Sequence, residues 1–333
     1  MKYDYFAFLK RERFSSLTYN KFIQEQNLYF LHGKRDKIFG NKPGDNRAVF
    51  FKHKDNVYNL CPDSFWDTQI YTNGTHIKIF GFKFTLSSNF YTASENEFYS
   101  IANPIAKEKV TGLPIYKGSS LKGALRHAAV DVLEDEMMDQ YFGEYTDLSE
   151  DEILERETEG KDRFFFKERS QLVKIFGNER DATWFTFKTL LATGGIRDVS
   201  KIKDILSKIT TAFTNYLKKH KIVNSEGVCR GRLIFEDLYF KKVSLDVITP
   251  LDRKKRTPTR GPHYYEVVPK TETTEGKIVW FPFDLIAEGE FDEIESEWEK
   301  DRKIIKKAFD KLQKKGIGAK TKDGWGNFKW EEL

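Results

Sequence analysis

The stretch Gly112-Leu-Pro-Ile-Tyr-Lys-Gly-Ser-Ser-Leu-Lys-Gly-Ala-Leu-Arg126 holds the residues best suited to chemistry. A glycine-lined turn runs straight into an apolar periodicity, Leu121, Leu125, Ala128, Val132, that predicts a helix. Gly118 permits close backbone approach, and Ser119 or Ser120 is suited to cap the helix start. The free N–H groups of such a start attract anions, most commonly phosphate. Lys117, Lys122 and Arg126 add positive charge at the same place, and Lys122 and Arg126, four apart, share one helix face. Nucleotides or nucleic acid are the chemistry this implies. An ordinary capped helix with surface lysines accounts for the same residues.

Two further segments carry similar chemistry. Arg253, Lys254, Lys255, Arg256 and Arg260 form the densest basic cluster, with no acid among them. Pro250, Pro258 and Pro262 stiffen it, and Tyr264 and Tyr265 follow. Bases beside stacking rings suit single strands or distorted duplexes, although most such runs are simply solvated. His263 stands between the two as an RNA contact or a packed histidine. Near the end of the chain, Lys320 and Lys322 lie among Gly316, Gly318, Gly324 and Gly326. Gly-Ala-Lys-Thr there superficially resembles a nucleotide loop, but the lysine follows alanine and the glycine spacing is wrong. Trp325 is either a base-stacking ring or part of the core.

Catalytic patterns are missing. There is no Gly-x-Ser-x-Gly elbow and no His-Glu-x-x-His. The two cysteines, Cys61 and Cys229, are far apart and outside any metal-ligand spacing, so no zinc and no cofactor are expected. Two cysteines in 333 residues fit a reducing cytoplasm. The opening Met-Lys-Tyr-Asp-Tyr-Phe lacks the pattern of a signal peptide, and no apolar run is long enough to span a membrane. The net charge of +5 is too small to decide a partner, but its distribution is uneven. Residues 131–159 hold thirteen carboxylates and one base, so that stretch would face away from RNA.

The elements that must position these groups follow from periodicity. Residues 1–75 read as an irregular aromatic-rich extension with a short helix near 18–27. Residues 76–86 alternate as a strand whose apolar phase shifts at Phe80-Gly81, predicting a β-bulge. A loop over 87–117 leads to a helix over about 120–142, then an exposed acidic segment, 144–163. A short helix ends at Gly177. An amphipathic helix over 201–219 sits in an insertion, 178–225. Strand patterns cover 231–240 and 277–291, separated by an exposed excursion at 246–265. A helix over 296–314 points Trp298, Ile305, Phe309 and Leu312 inward. The order predicts an α+β domain of ferredoxin-like, split βαβ type over 76–333, with helices on one face of the sheet.

The two glycine turns together resemble the RAMP superfamily of CRISPR proteins. Pro114-x-x-x-Gly-Ser-Ser-Leu-Lys-Gly-x-Leu-Arg126 and Gly316-x-Gly-x-Lys-Thr-x-x-Gly-x-Gly-x-Phe328 are two of its landmarks; Leu172–Gly177 and Gly231–Asp237 resemble two more. Within the superfamily the chain is similar to the subunit-six family of the type III-B Cmr effector, through Asp246-Val-Ile-Thr-Pro and Pro262-His-Tyr-Tyr265, here split by residues 251–261. The resemblance implies a modified RRM-like palm with 246–265 as a basic, thumb-like excursion. It implies a non-catalytic subunit in antiviral defence, near the guide 3′ end. Its partners would be CRISPR guide RNA, target RNA and other Cmr subunits. The RNA contacts it implies are Lys117, Gly118, Ser119, Ser120, Lys122, Arg126, Arg253–Arg256, Arg260, His263, Lys320 and Lys322. The cleaving subunit of that superfamily uses an aspartate in the loop after the first strand; here Ser87–Thr111 offers Glu95, Glu97 and Glu108 instead. A guide-processing endoribonuclease, with His127 as its base, and the equivalent type III-A subunit are the alternatives.

Overall fold

A computed structural model describes residues 58–59, 76–93, 103–108, 112–145, 164–178, 199–249 and 263–333. The elements are β1 (Tyr58–Asn59), β2 (Lys78–Leu86), β3 (Ile115–Tyr116), α1 (Gly118–Tyr145), α2 (Phe164–Phe176), α3 (Val199–Lys219), β4 (Leu233–Phe235), β5 (Leu238–Tyr239), β6 (Lys242–Ile248), β7 (His263–Val267), β8 (Thr273–Trp280), α4 (Phe283–Glu288), α5 (Ile294–Lys315) and β9 (Phe328–Glu332).

Alternation builds the centre of the molecule. Phe80, Phe82, Phe84 and Leu86 of β2 all point to one face and are essentially inaccessible to water. They meet Phe309 of α5 and Phe328 of β9 in a contiguous aromatic stack, with Phe80–Phe309 centroids 5.8 Å apart and Phe84–Phe328 centroids 4.3 Å apart. Each fully buried ring contributes about 1.5–3 kcal/mol, so this stack is the main apolar anchor between sheet and helix. Leu121, Leu125, Ala128, Ala129 and Leu133 of α1 complete the layer. Val132, expected inward, is only half-buried, and Leu133 takes the core position.

The four-stranded sheet has the order β4-β8-β2-β9, and every pairing is antiparallel. Read as β2-α1-β4-β8-α5-β9, this is the split βαβ connectivity the sequence implied, with α1 and α5 packed against each other. α2 packs on α1, and α3 packs on α2. A second sheet, β1-β6-β7, places Tyr58–Asn59 beside Val243 and Lys242. The remainder of 1–75, including the expected helix near 18–27, lies outside the described residues, as do the acidic segment from 146 to 163 and most of 178–198.

Several sequence expectations are corrected. No bulge interrupts β2, because the ladder to β8 runs in unbroken register from Lys78↔Trp280 to Thr85↔Thr273. Ile79 simply occupies the opposite face, paired with Val279 and half-buried, so the apolar phase shift marks a strand end that is partly covered on its far face as well. The run 231–240 is two short strands, because Glu236-Asp237 turns out of the ladder towards α1. The run 277–291 is the end of β8 followed by α4. The flanks of the 246–265 excursion are not loops: β6 and β7 pair from Ser244↔Val267 to Ile248↔His263. Residues 250–262, with the basic cluster, connect these strands and lie outside the described residues.

A buried charge joins the layers. Arg232, 1% exposed, donates from Nε and a terminal nitrogen to Asp284, and from its other nitrogen to Glu297 at 2.9 Å and Asp301 at 3.0 Å. Asp301 also accepts from Trp280 Nε1 at 2.7 Å and Gln171 at 2.5 Å. Burial opposes the charge on Arg232, but the hydrogen bonds it donates to Asp284 and Glu297 and the nearby Asp301 outweigh it and raise its pKa. Burial also pushes Glu297 up, but hydrogen bonds from Lys300 and Arg232 win and hold it at about 2. Burial is the largest influence on Asp301 and raises it. Two glycines make the neighbouring crossing possible: a Cβ on Gly231 would lie 2.3 Å from the Phe176 carbonyl carbon and 2.4 Å from Gly177 N. On the opposite side, three pairs zip α1 to α5: Asp131–Lys315, Asp135–Lys311 at 2.5 Å and Glu136–Lys307 at 2.5 Å.

Arg232→Met leaves buried carboxylates uncompensated and should cost about 3–5 kcal/mol in chemical denaturation. A loss below 1 kcal/mol would show that the carboxylates adapt without the guanidinium (~1 kcal/mol being the scale of an ordinary substitution). The depressed Glu297 pKa makes stability rise with pH between about 2 and 4.5, where the unfolded chain binds the extra proton. Glu297→Gln should therefore flatten the acid limb of stability against pH.

Candidate nucleic-acid interface

The first glycine turn is held by a carboxylate. Gly118 begins α1, and its N–H donates to Asp237 Oδ1 at 2.7 Å. Lys117 Nζ reaches Asp237 Oδ2 at 3.1 Å. The sequence predicted a serine cap; the helix is instead capped across the fold by the aspartate that ends the Gly231–Asp237 motif. Gly118 is required by proximity, since a Cβ there would lie 2.5 Å from Phe235 O and 2.9 Å from Glu236 O. The first intrahelical bond from this end is Leu121 N–H to Lys117 O. The amides of Ser119 and Ser120 therefore precede the ladder, and both side chains are exposed.

The basic residues of this turn are not equivalent. Lys117 has 56% of its side chain exposed, half-committed to Asp237. Lys122 is half-buried and donates to Leu233 O at 3.3 Å, so its ammonium turns towards the β4 backbone. Arg126 is half-buried on the same helix face. His127 is 77% exposed, with Nδ1 3.7 Å from Asp131. Carboxylates also gather near the turn: burial raises the Tyr239 phenol, and Asp237, Glu108 and Glu236 raise it further.

The second glycine turn meets the first through Tyr116. Burial pushes the Tyr116 phenol up to about 12, against a hydrogen bond from the Gly318 backbone that pulls the other way. Gly318, at φ +78°, crosses close to the chain after β2: a Cβ there would lie 2.4 Å from Tyr91 O. Ala319 N–H donates to Tyr91 O at 2.8 Å and Gly326 N–H to Asn89 O at 2.7 Å. The tail turn thus rests on residues 87–91, with Tyr116 bridging to the α1 turn. Lys320 places Nζ 5.6 Å from the Tyr265 ring centroid and 3.8 Å from Asp323. Lys322 is exposed.

Trp325 belongs to a small aromatic cluster. Its ring meets Tyr265 edge-on at 5.4 Å and Tyr91 at 6.2 Å, while Tyr91 and Tyr265 are 5.1 Å apart. The cluster fixes the root of the β6–β7 hairpin against the tail turn. Asn89 adds a second tie, donating to Asp246 at 2.7 Å and accepting from the Lys270 amide. Lys107 and Glu266 form a buried pair at 2.6 Å behind it. His263 is exposed at the start of β7, opposite Ile248. Arg253, Lys254, Lys255, Arg256 and Arg260 lie outside the described residues.

Sequence reading missed Asp237, Tyr116 and Arg232 as organisers. Asp237 had a signal: a Glu236-Asp237 acidic pair interrupting the apolar residues Leu233–Phe235 and Leu238–Phe240. Among the described residues, no group of histidines, cysteines and carboxylates is arranged to hold a metal ion, and no helix is long and apolar enough to cross a membrane.

The RAMP superfamily model matches residues 83–329, most of the chain. A chain in the cryo-EM structure of the type III-B Cmr-beta complex bound to cognate target RNA is similar at 14% identity and TM-score 0.37, over 78% of this chain and 61% of that one. A chain of a type IV-B CRISPR complex is similar at 11% identity and TM-score 0.36, over 77% of this chain and 90% of that one. This chain therefore spans less than two thirds of the first of these. No curated protein matches.

Paired substitutions separate architecture from surface. Gly118→Ala drives a Cβ into the Phe235 and Glu236 carbonyls and should cost about 1–3 kcal/mol in thermal or chemical unfolding. Gly123→Ala, with nothing within 4 Å of the new methyl, should stabilise α1 by about 0.5–1 kcal/mol.

Proposed function

Because the chain belongs to the RAMP superfamily, we propose that it is a non-catalytic, guide-RNA-binding subunit of a type III-B CRISPR effector complex that targets RNA. The observation that carries the reading is the meeting of the two glycine turns at Tyr116 and Gly318, on a split βαβ scaffold. Within the superfamily, the subunit-six family is the best fit, near the guide 3′ end. Exposed Ser119, Ser120 and Lys117 supply phosphate contacts at one turn, and Lys320 and Lys322 at the other. The β6–β7 hairpin carries the 253–260 cluster as the thumb, and Trp325, Tyr91 and Tyr265 brace its root. Affinity then comes mainly from phosphate contacts, indifferent to guide sequence and sensitive to salt, while base pairing supplies specificity. Other Cmr subunits and the target RNA complete the assembly.

A non-catalytic role is consistent with the surroundings of His127, whose charged neighbours Asp131 and Glu134 both lie on its own helix. No general acid faces it from another element among the described pairs. Metal-independent RNA cleavage by the purified chain, lost in His127→Ala, would replace this reading with an endoribonuclease.

The test is anisotropy of a labelled single-stranded RNA at several salt concentrations. Replacing Arg253–Arg256 by alanine should weaken binding and reduce the slope of log affinity against log salt by about 0.7 for each lost single-strand phosphate contact. Wild-type affinity at every salt concentration would sink the thumb assignment. Identification of proteins purified with the native complex distinguishes a type III-B from a type III-A assembly.

A further inference from the structure

Asp237 places a carboxylate at the start of α1. Its Oδ1 accepts the Gly118 N–H at 2.7 Å and its Oδ2 holds Lys117 Nζ at 3.1 Å. Both interactions are those of a bound oxyanion: one backbone amide and one ammonium. The carboxylate comes from the turn between β4 and β5, and the Phe235 and Glu236 carbonyls close the space beside Gly118. An RNA phosphate cannot reach the Gly118 amide while Asp237 is there. What remains accessible is one step along the helix: the Ser119 and Ser120 amides ahead of the first intrahelical bond, their exposed hydroxyls, and Lys117.

We propose that Asp237 is a positioning residue for RNA: an internal substitute for phosphate that fixes the turn, shifts the RNA contact to Ser119–Ser120, and weakens it by competing for Lys117. The inference rests on the RNA-binding reading of this turn. Asp237 does two opposed things. As a cap it makes the turn rigid, so the serines are presented in one geometry. As a charge it repels the incoming backbone and sequesters the most exposed base of the turn. Asp237 therefore limits the affinity of this site, as suits a subunit that shares the guide with neighbours.

The two roles separate by substitution. Asp237→Asn retains an oxygen that accepts from Gly118 but removes the charge, and Asp237→Ala removes both. The full chain is compared by thermal unfolding and by anisotropy with a labelled single-stranded RNA of mixed sequence. D237N should melt within about 2 °C of wild type, because asparagine caps as well as aspartate. It should bind RNA about three- to tenfold more tightly at low salt, the effect of removing one nearby charge and releasing one lysine. The gain should shrink as salt rises, and the salt slope should steepen by about 0.7, one extra single-strand phosphate contact. In D237N/K117A the gain should fall, because the released lysine is gone. D237A should melt lower than both, having lost the cap. Unchanged or weaker RNA binding by D237N, with wild-type binding intact, overturns the role of Asp237 and leaves the RNA-binding reading standing. If the wild-type chain binds no RNA at any salt concentration, both fall together.

Discussion

A single guanidinium, 1% exposed, constrains most of the described molecule. Arg232 stands just before β4, and its three carboxylate partners come from α4 and α5, the elements that follow β8. Trp280, at the end of β8, and Gln171, on α2, bond to the same carboxylates. Strands, crossover helix and flanking helix therefore converge on one charge that is itself shielded from water. Apolar packing would tolerate several sliding arrangements of α5 over the sheet. A fork of donors with fixed directions does not. The aromatic stack supplies the larger stabilisation, and Arg232 selects which packing receives it.

The same motif serves the other side of the fold. Gly231 opens the segment against Gly177, Arg232 points inward, and Asp237 closes it on Gly118. Seven consecutive residues thus connect three of the four RAMP landmarks. The fourth, the tail turn, joins through Tyr116 and Gly318. The glycines at these crossings are places where one backbone passes within a few ångströms of another. Their spacing is set by architecture first, and any RNA contact is built on the surfaces they leave exposed, Ser119, Ser120 and Lys117 above all.

How much of this could be read in the sequence depended on whether the signal was local. The inward face of α5 was legible because Trp298, Ile305, Phe309 and Leu312 repeat at helical spacing, and all four are buried. The terminating Gly177 was legible because a glycine directly after an apolar helical run favours the left-handed turn it adopts, at φ +86°. The bulge at Gly81 is not present, since Ile79 is an apolar, half-buried residue on the far face, and local alternation cannot tell such a residue from a register shift. The Arg232 cage was hidden for a different reason. Asp284, Glu297 and Asp301 sit in a charged stretch that reads as solvated surface, and their partner lies more than fifty residues earlier. The two glycine turns were found, but the cap was assigned to neighbouring serines when the true acceptor was distant in sequence.

The ladder of acids and lysines between α1 and α5 has an effect beyond these two helices. Most of its side chains are well exposed, so each pair alone contributes little at ordinary temperature. Together they absorb the lysines of the last α5 turns into internal bookkeeping of charge, and so that flank is electrically quiet despite its composition. The hydration of ions becomes less favourable on heating, which lowers the desolvation penalty of such pairs, whereas added salt screens them. The seam between the two helices is thus the part of the molecule whose cohesion grows with warmth and slackens in brine, opposite to the response of an oily contact to the same salt.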